Sequence, residues 1–441
     1  MMNNFLKSTL VIQKTVQEKI IGHHHLLVAY SGGVDSSVLL HSLVMLKHHH
    51  LPNLDIKAIY IHHGISDNAD IWADHCRTQC NVWQIPLIIE KVSLAVDDGN
   101  IEEQARDARY KVIQKYLTQN VALCTAQHLD DQSETFLLAL KRGSGPTGLS
   151  AMPESSKIAE NLLLRPLLTI SRQQIEQYAK EYNLAWVEDE SNQDPYYDRN
   201  FLRLNVLPML NQRWPHFNQM VARSAELCHE QQQLLDELLS VTFEQLIDKQ
   251  LNLSITPLLS FSSAKRNTLL RMWFKQNKVA MPSRKQLTMI WQNVALAKED
   301  SNPQFILHDK QIRRYQGKLY LLPNYQNLQS VRLNWQNLDT PLILPDNLGK
   351  LSITNTLPNC CRLPNQGENI WIGFYVSGMH HVVGRNGSRQ IKKLWQEFGI
   401  PPWMRNRIPL VFYDETLITA VSIFVTKQGQ GDDVCYQHQA Y

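Results

Sequence analysis

The run Ser31-Gly32-Gly33-Val34-Asp35-Ser36 carries the chemistry most open to a physical reading, because it sits between the apolar stretches Leu26 to Tyr30 and Val38 to Leu46. Gly32 and Gly33 allow the backbone to turn with positive φ and to approach a ligand closely. A helix that begins just after them presents free N–H groups and the positive end of its dipole, which together favour an anion. Ser31 and Ser36 add hydroxyl donors. Asp35 cannot itself welcome a phosphate, so its place in the turn makes sense if it holds Mg²⁺ that bridges phosphates. The combination points to a nucleotide. The plainer alternative is a strand-to-helix turn that uses Gly for geometry and Ser or Asp for capping. Gly143 to Ser150 has the glycine spacing of a classical P-loop, but Leu149 stands where that motif needs Lys.

Short apolar runs at Leu26 to Tyr30, Ile56 to Ile61, Ile85 to Ile89 and Val121 to Thr125 read as buried strands with helical patterns between them. That alternation predicts a doubly wound parallel sheet, with ligands at the carboxyl ends of its strands. The residues there are polar: Ser31 after the first strand, His62-His63-Gly64 after the second, and Gln127-His128-Leu129-Asp130-Asp131-Gln132 after the fourth. Asp130 and Asp131 either complement the dipole of the helix they open or join His128 and a metal at Asp35 in a metal or base cluster. A helix over Ile101 to Tyr116 carries Arg106 and Arg109 on one face. They form surface ion pairs with Glu102, Glu103 or Asp107, or they offer guanidinium groups to a phosphate.

The chain has 441 residues, 43% of them hydrophobic and 19% charged, enough for two or three domains at roughly 100 to 200 residues each. The spans expected are 1–215 for the parallel-sheet domain, 216–328 for a helical basic domain and 329–441 for a small α+β domain, with one long helix from His216 to about Leu239 leading out of the first. With 44 basic and 41 acidic residues, giving a net +3, any nucleic-acid surface has to be local. Gln250 to Ala297 contains no Asp or Glu and includes Lys265, Arg266, Arg271, Trp273 and Phe274. Arg385, Arg389, Lys392, Lys393, Arg405 and Arg407 face only Glu397 in their own stretch. Arg199 and Arg203 share a helix face, for phosphate contacts or for ion pairs with Asp198 or Glu188. No apolar run approaches the ~20 residues of a membrane span and Met1 to Leu10 lacks the pattern of a signal peptide, so a cytoplasmic protein is expected. Seven cysteines without a C-x-x-C pair read as reduced thiols. His23-His24-His25 and His48-His49-His50 read as solvated runs rather than metal sites.

Ser31 to Ser36 match the S-G-G-x-D-S loop of the N-type ATP pyrophosphatases, or PP-loop enzymes, which split ATP between the α and β phosphates to adenylate a substrate. Within that superfamily the chain resembles the tRNA(Ile)-lysidine synthetases. The likeness rests on the loop, on His62-His63-Gly64-Ile65-Ser66, on Ala105 to Tyr110, on His128 to Met152, on Trp186 to Asn192 with Tyr197 to Arg203, and on Gly384 to Tyr413. Gln127 stands where a second His is common. The resemblance implies ATP and Mg²⁺ as cofactors, and the CAU-anticodon isoleucine tRNA and free L-lysine as partners. It implies adenylation of C2 of the wobble cytidine, then displacement of AMP by the lysine ε-amine. By carry-over Ser31, Gly32, Gly33, Val34, Asp35 and Ser36 hold the pyrophosphate, Asp35 and Asp131 bind metal, and Arg106 or Arg109 meets the α-phosphate. His128, Asp130 and Asp131 serve metal, lysine positioning or proton removal. The tRNA contacts expected are Arg199, Arg203, Lys265, Arg266, Arg271, Arg385, Arg389, Lys392, Lys393, Arg405 and Arg407. A homodimer is the one assembly weighed. A tRNA thiolase would want a sulfur-relaying cysteine set and an amide synthetase a glutaminase partner; a silent RNA-binding module would not need Asp35 and Asp130-Asp131 together.

Overall fold

The computed structural model describes residues 2–62, 64, 68–92, 101–298, 301–354 and 360–440. His63, Ile65 and Ser66, part of the family resemblance, lie outside them. The chain divides into two compact units, Met1–Leu238 and Leu239–Tyr441.

The first unit opens with α1 (Met2–Lys19), β1 (His25–Ala29), α2 (Val34–His49), β2 (Asp55–His62), α3 (Ala69–Val82), β3 (Leu87–Lys91), α4 (Ile101–Gln114), β4 (Val121–Cys124) and α5 (Leu129–Lys141). It continues with α6 (Pro146–Leu149), β5 (Ser155–Ile158), β6 (Asn161–Leu164), α7 (Arg172–Glu181), α8 (Asp198–Phe201), α9 (Leu207–Arg213) and the first part of α10 (Phe217–Leu246), whose last residues belong to the second unit. The sheet runs β3-β2-β1-β4-β6-β5, parallel except for the β5–β6 hairpin. β1 therefore has β2 on one side and β4 on the other, and the cleft between their carboxyl ends is the topological switch point where such sheets bind ligands.

Alternation along the strands divides the core. Leu26, Val28, Ala58 and Cys124 pack with α2 and α7 on one face, and Leu27, Ile59, Leu123 and Leu163 pack with Ile113 and Tyr110 of α4 on the other. α2 and α7 lie side by side. His41 Nδ1 is 3.0 Å from the hydroxyl of Tyr178, and the His41 and Tyr182 rings are 4.7 Å apart. Burial pushes the His41 imidazole down to about 4, so it stays neutral in the core. His41 lies six residues after Asp35 and Tyr178 six after Arg172, so this contact brings the N-termini of the two helices together.

The second unit holds a four-stranded antiparallel sheet of 253–254, 318–323, 310–315 and 304–307, beside the helix Ser263–Gln276. Trp273 and Phe274, expected among the surface cations, are fully buried, and the indole N–H of Trp273 donates to Leu251 O at 2.6 Å. They belong to a core of Leu269, Ile290, Ile312 and Leu319, because the helix turns its apolar side to the sheet. Beyond residue 330 come a five-stranded and a four-stranded antiparallel sheet and the helix Ile391–Glu397. The expectation that all cysteines are reduced is corrected here. Cys360 and Cys435 stand opposite each other in antiparallel register and form a disulfide, while Cys76, Cys80, Cys124, Cys228 and Cys361 are free. Among the described residues no helix is long and apolar enough to cross a membrane.

Trp273→Ala should remove a large core side chain and strand the Leu251 carbonyl. We expect a loss of about 3–5 kcal/mol in the second unit, read by chemical denaturation.

Candidate active site

The turn after β1 is held by its own hydroxyls. Ser36 Oγ donates to Gly33 O at 3.0 Å and accepts from the Ser31 N–H at 3.2 Å. Gly32 has φ +80°, and a Cβ there would meet Cys76 Sγ at 2.9 Å and Val187 Cγ2 at 3.1 Å. Gly33, expected to share the positive φ, has φ −71° and serves as N-cap of α2. The turn thus needs only one left-handed residue. Val187 N–H donates to Gly32 O at 3.0 Å, which ties the Trp186 to Asn192 segment to the turn. No side chain caps α2 at Gly33, so the first-turn amides of Val34, Asp35 and Ser36 face outward to an anion.

His128 is the N-cap of α5 and is almost fully buried. Its Nδ1 accepts from Asp130 N–H at 3.2 Å, which assigns the proton to Nε2. That Nε2 lies 3.6 Å from Asp35 Oδ1 and 3.5 Å from Asp131 Oδ2. One imidazole edge therefore faces two carboxylates from different elements. Asp131 Oδ2 accepts the His128 backbone N–H at 3.0 Å, closing a reciprocal cap. Asp130 is taken by the frame: it accepts Arg172 N–H at 2.9 Å and the Asn218 amide at 3.0 Å.

Arg172, which the sequence gave no reason to single out, pairs with Asp35 Oδ2 at 2.7 Å and with Glu176 at 2.9 Å. Asp35 Oδ1, by contrast, is buried and has no hydrogen-bond partner. Burial raises the Asp35 carboxyl above the usual range, against the pull of His128 and Arg172. An orphaned buried carboxylate oxygen at an anion-binding turn fits Mg²⁺, which binds through one or two carboxylates and substrate phosphates. Among the described residues no group of three or more His, Cys, Asp or Glu converges as a complete metal cage.

Arg199 and Arg203 both pair with acids of α5. Arg203, in the π-turn Leu202–Val206, reaches Glu134 at 2.7 Å and Asp131 at 3.0 Å, and Arg199 reaches Glu134 at 3.1 Å. Glu134 is fully buried, and its burial raises its carboxyl. Burial would raise Asp131 as well, but His128 and Arg203 outweigh it and hold the carboxyl low. Glu134, Arg172 and Asn218 are site residues the sequence did not reveal. Arg106 is exposed on α4 and lies over the Tyr110 ring at 5.8 Å, with Arg109 exposed on the same helix; α4 packs on the sheet face opposite α2. Gln127, in the place of the common second His, has a buried Oε1 without a partner.

The chain's sequence matches the PP-loop domain model over residues 6–210, the "TilS substrate binding domain" over 253–320 and the "TilS substrate C-terminal domain" over 372–437. The tRNA(Ile)-lysidine synthase of Serratia proteamaculans is 54% identical over 92% of this chain and 93% of its own. Those of Proteus mirabilis and Edwardsiella ictaluri are each 50% identical over 94% and 96% of both chains. The chain belongs to the tRNA(Ile)-lysidine synthase family. It is an enzyme of that family, and its parallel-sheet domain is the PP-loop domain that serves ATP-dependent ligation.

In the second unit the basic residues expected to meet RNA divide by environment. Lys392 and Lys393 are exposed and Arg271 is half-buried. Lys265 lies over the Phe261 ring at 4.0 Å and Arg266 over Trp291 at 4.2 Å. Arg385 and Arg389 both pair with Glu397, and Arg405 donates to Ile400 O at 3.2 Å. Arg407 is buried, bonded to Asp346 and stacked on Tyr325 at 4.0 Å. The partner of Arg407, Asp346, comes from 61 residues upstream of it, outside that stretch.

Arg203→Met should leave buried Glu134 with Arg199 as its remaining cation, remove the Arg203 pair of Asp131, and cost about 3 kcal/mol at neutral pH. The deficit should shrink as pH falls, because protonation neutralises Glu134 and Asp131, whose pairing with Arg203 stabilises the fold only while they are ionised. Urea denaturation of both proteins across pH reads the difference.

Proposed function

We propose that this chain uses ATP to join free L-lysine to C2 of the wobble cytidine in the CAU anticodon of an isoleucine tRNA. The reaction passes through an adenylated cytidine and releases pyrophosphate and AMP. The observation that carries it is the Asp35 carboxylate, buried with a free oxygen at the uncapped N-terminus of α2, in a chain of this family.

Ser31, Gly32, Gly33, Val34 and Ser36 receive the pyrophosphate on their amides and hydroxyls. Asp35, with Asp131 across the His128 imidazole from it, would hold Mg²⁺, which when bound offsets charge on the phosphates. Arg172, Arg106 and Arg109 are the guanidinium groups we assign to the negative charge of adenylyl transfer, Arg172 from its place beside Asp35. His128 stands between the two carboxylates, with Nε2 3.6 Å from Asp35 Oδ1 and 3.5 Å from Asp131 Oδ2, and Asp130 positions His128 and α7. Lysine arrives as an ammonium, and only the neutral amine attacks. The groups we assign to positioning the ammonium and taking its proton are His128 and Asp131, which face each other at 3.5 Å beside Asp35.

We divide the labour as catalysis in 1–215 and tRNA contact in 216–328 and 329–441. Lys265, Arg266, Arg271, Arg385, Arg389, Lys392, Lys393 and Arg405 serve as phosphate contacts. Arg199, Arg203 and Arg407 are bound to acids of the protein and act on the RNA through the surfaces they hold in place.

The test is incorporation of labelled lysine into unmodified CAU-anticodon isoleucine tRNA with ATP and Mg²⁺, beside a methionine tRNA. Label should enter the isoleucine tRNA alone, and Asp35→Ala should lower the rate by a factor on the order of 10²–10³. Pyrophosphate release without lysine transfer would leave the ATP site standing and overturn the assignment of the nucleophile. Gly32→Ala, which puts a Cβ against Cys76 and Val187, should weaken ATP binding at least about tenfold in equilibrium titration.

A further inference from the structure

The second unit contains a cavity of about 540 Å³, a volume of the size that small-molecule sites occupy. Its walls come from three stretches, 302–313, 324–329 and 402–407, so it bridges the strands of the substrate-binding match and the C-terminal match. Its lining is unusual. Eight of its fifteen residues are Asn or Gln, two are Arg, and none is acidic.

The floor is built rather than incidental. Gln311 is almost fully buried; its amide donates to Pro323 O at 2.7 Å and its Oε1 accepts from Arg313 Nε at 2.8 Å. Arg313 in turn donates to Asn302 Oδ1 at 3.2 Å. On the opposite side Arg407 is buried against Asp346, which also accepts the Gln326 N–H at 3.1 Å, and stacks on Tyr325. Asp346 is thus already paired, as is Asp309 with Lys310, and Arg313 gives the cavity a positive end. Gln304, Asn324 and Gln326 project from the rim, exposed.

Side-chain amides carry a donor and an acceptor side by side, the pattern that reads the edge of a nucleobase, while aromatic rings and guanidinium planes stack on its face. An apolar ligand would waste the exposed rim amides of Gln304 and Gln326, and a purely acidic one would meet Arg313 but have no use for those amides. We propose that this cavity takes a single unpaired nucleotide of the tRNA, held by amide contacts to the base edge, with Arg313 toward its phosphate. The proposal rests on the tRNA reading above and adds to it a base-reading subsite distinct from the surface lysines, which meet phosphates without regard to sequence.

The test uses the full-length protein and two double variants of rim residues, Gln304→Glu/Gln326→Glu and the neutral Gln304→Met/Gln326→Met, each checked for an unchanged thermal midpoint. tRNA affinity is measured by filter binding, and 2′-hydroxyl acylation of the bound tRNA reports which unpaired nucleotides are protected. We expect one unpaired nucleotide protected by the parent and reactive again with both variants, a loss of affinity of about tenfold, the weight of one base-edge contact, and unchanged ATP binding. Unchanged protection and affinity in both variants would overturn the proposal. So would weakening by the Glu pair alone with no nucleotide released, which is plain charge repulsion. A parent protein that binds no tRNA would overturn the tRNA reading itself, an outcome separate from the other two.

Discussion

A carboxylate is held where an anion is meant to bind, and the rest of the first unit is arranged around that conflict. Asp35 sits in the first turn of α2, whose free amides attract negative charge, yet one of its oxygens is buried without a donor. Left alone, such a group costs free energy on the order of 1–3 kcal/mol. Arg172 balances one oxygen and His128 stands 3.6 Å from the other, outside hydrogen-bond range. The remaining demand is for a cation that phosphates also want. In the function proposed above, that unmet oxygen is what favours a nucleotide carrying its own cation.

The supporting parts each solve a positioning problem. The His41–Tyr178 contact sets α7 against α2 so that Arg172 arrives beside Asp35. The reciprocal cap at the start of α5 fixes the His128 ring and, through Asp130, ties it back to α7. The π-turn at Leu202–Val206 carries Arg203 onto Glu134 and Asp131, so a buried acid one turn into α5 stays paired. Gln132 clasps Met152 through both its amide atoms, at 2.8 and 3.0 Å, and so anchors the glycine-rich stretch that follows α5.

Much of this was legible in the sequence, for identifiable reasons. The four strands named in advance all form, because a strand buried on both faces writes an uninterrupted apolar run. The meeting of Asp35 with His128 followed from the rule for strand ends. What escaped was what depends on partners distant in sequence. β6, Asn161–Leu164, merges into the apolar residues Leu167 to Ile170 after it, so the strand end that leads to Arg172 went unmarked. Glu134 looks like any helix acid until Arg199 and Arg203 arrive from 65 and 69 residues further on. Trp273 stands among cations in the sequence, yet its indole bond to Leu251 places it in the core. The Cys360–Cys435 link is a matter of strand register, which cysteine spacing does not encode.

We propose that Asp35 keeps one oxygen unsatisfied for a cation shared with ATP. This is tested most directly by calorimetric titration of ATP into the parent protein and Asp35→Asn, each with and without Mg²⁺. Mg²⁺ should tighten ATP binding to the parent, and Asp35→Asn should lose this gain while binding metal-free ATP at least as well, since a negative charge beside the phosphates is gone. An equal gain from Mg²⁺ in both proteins would contradict it.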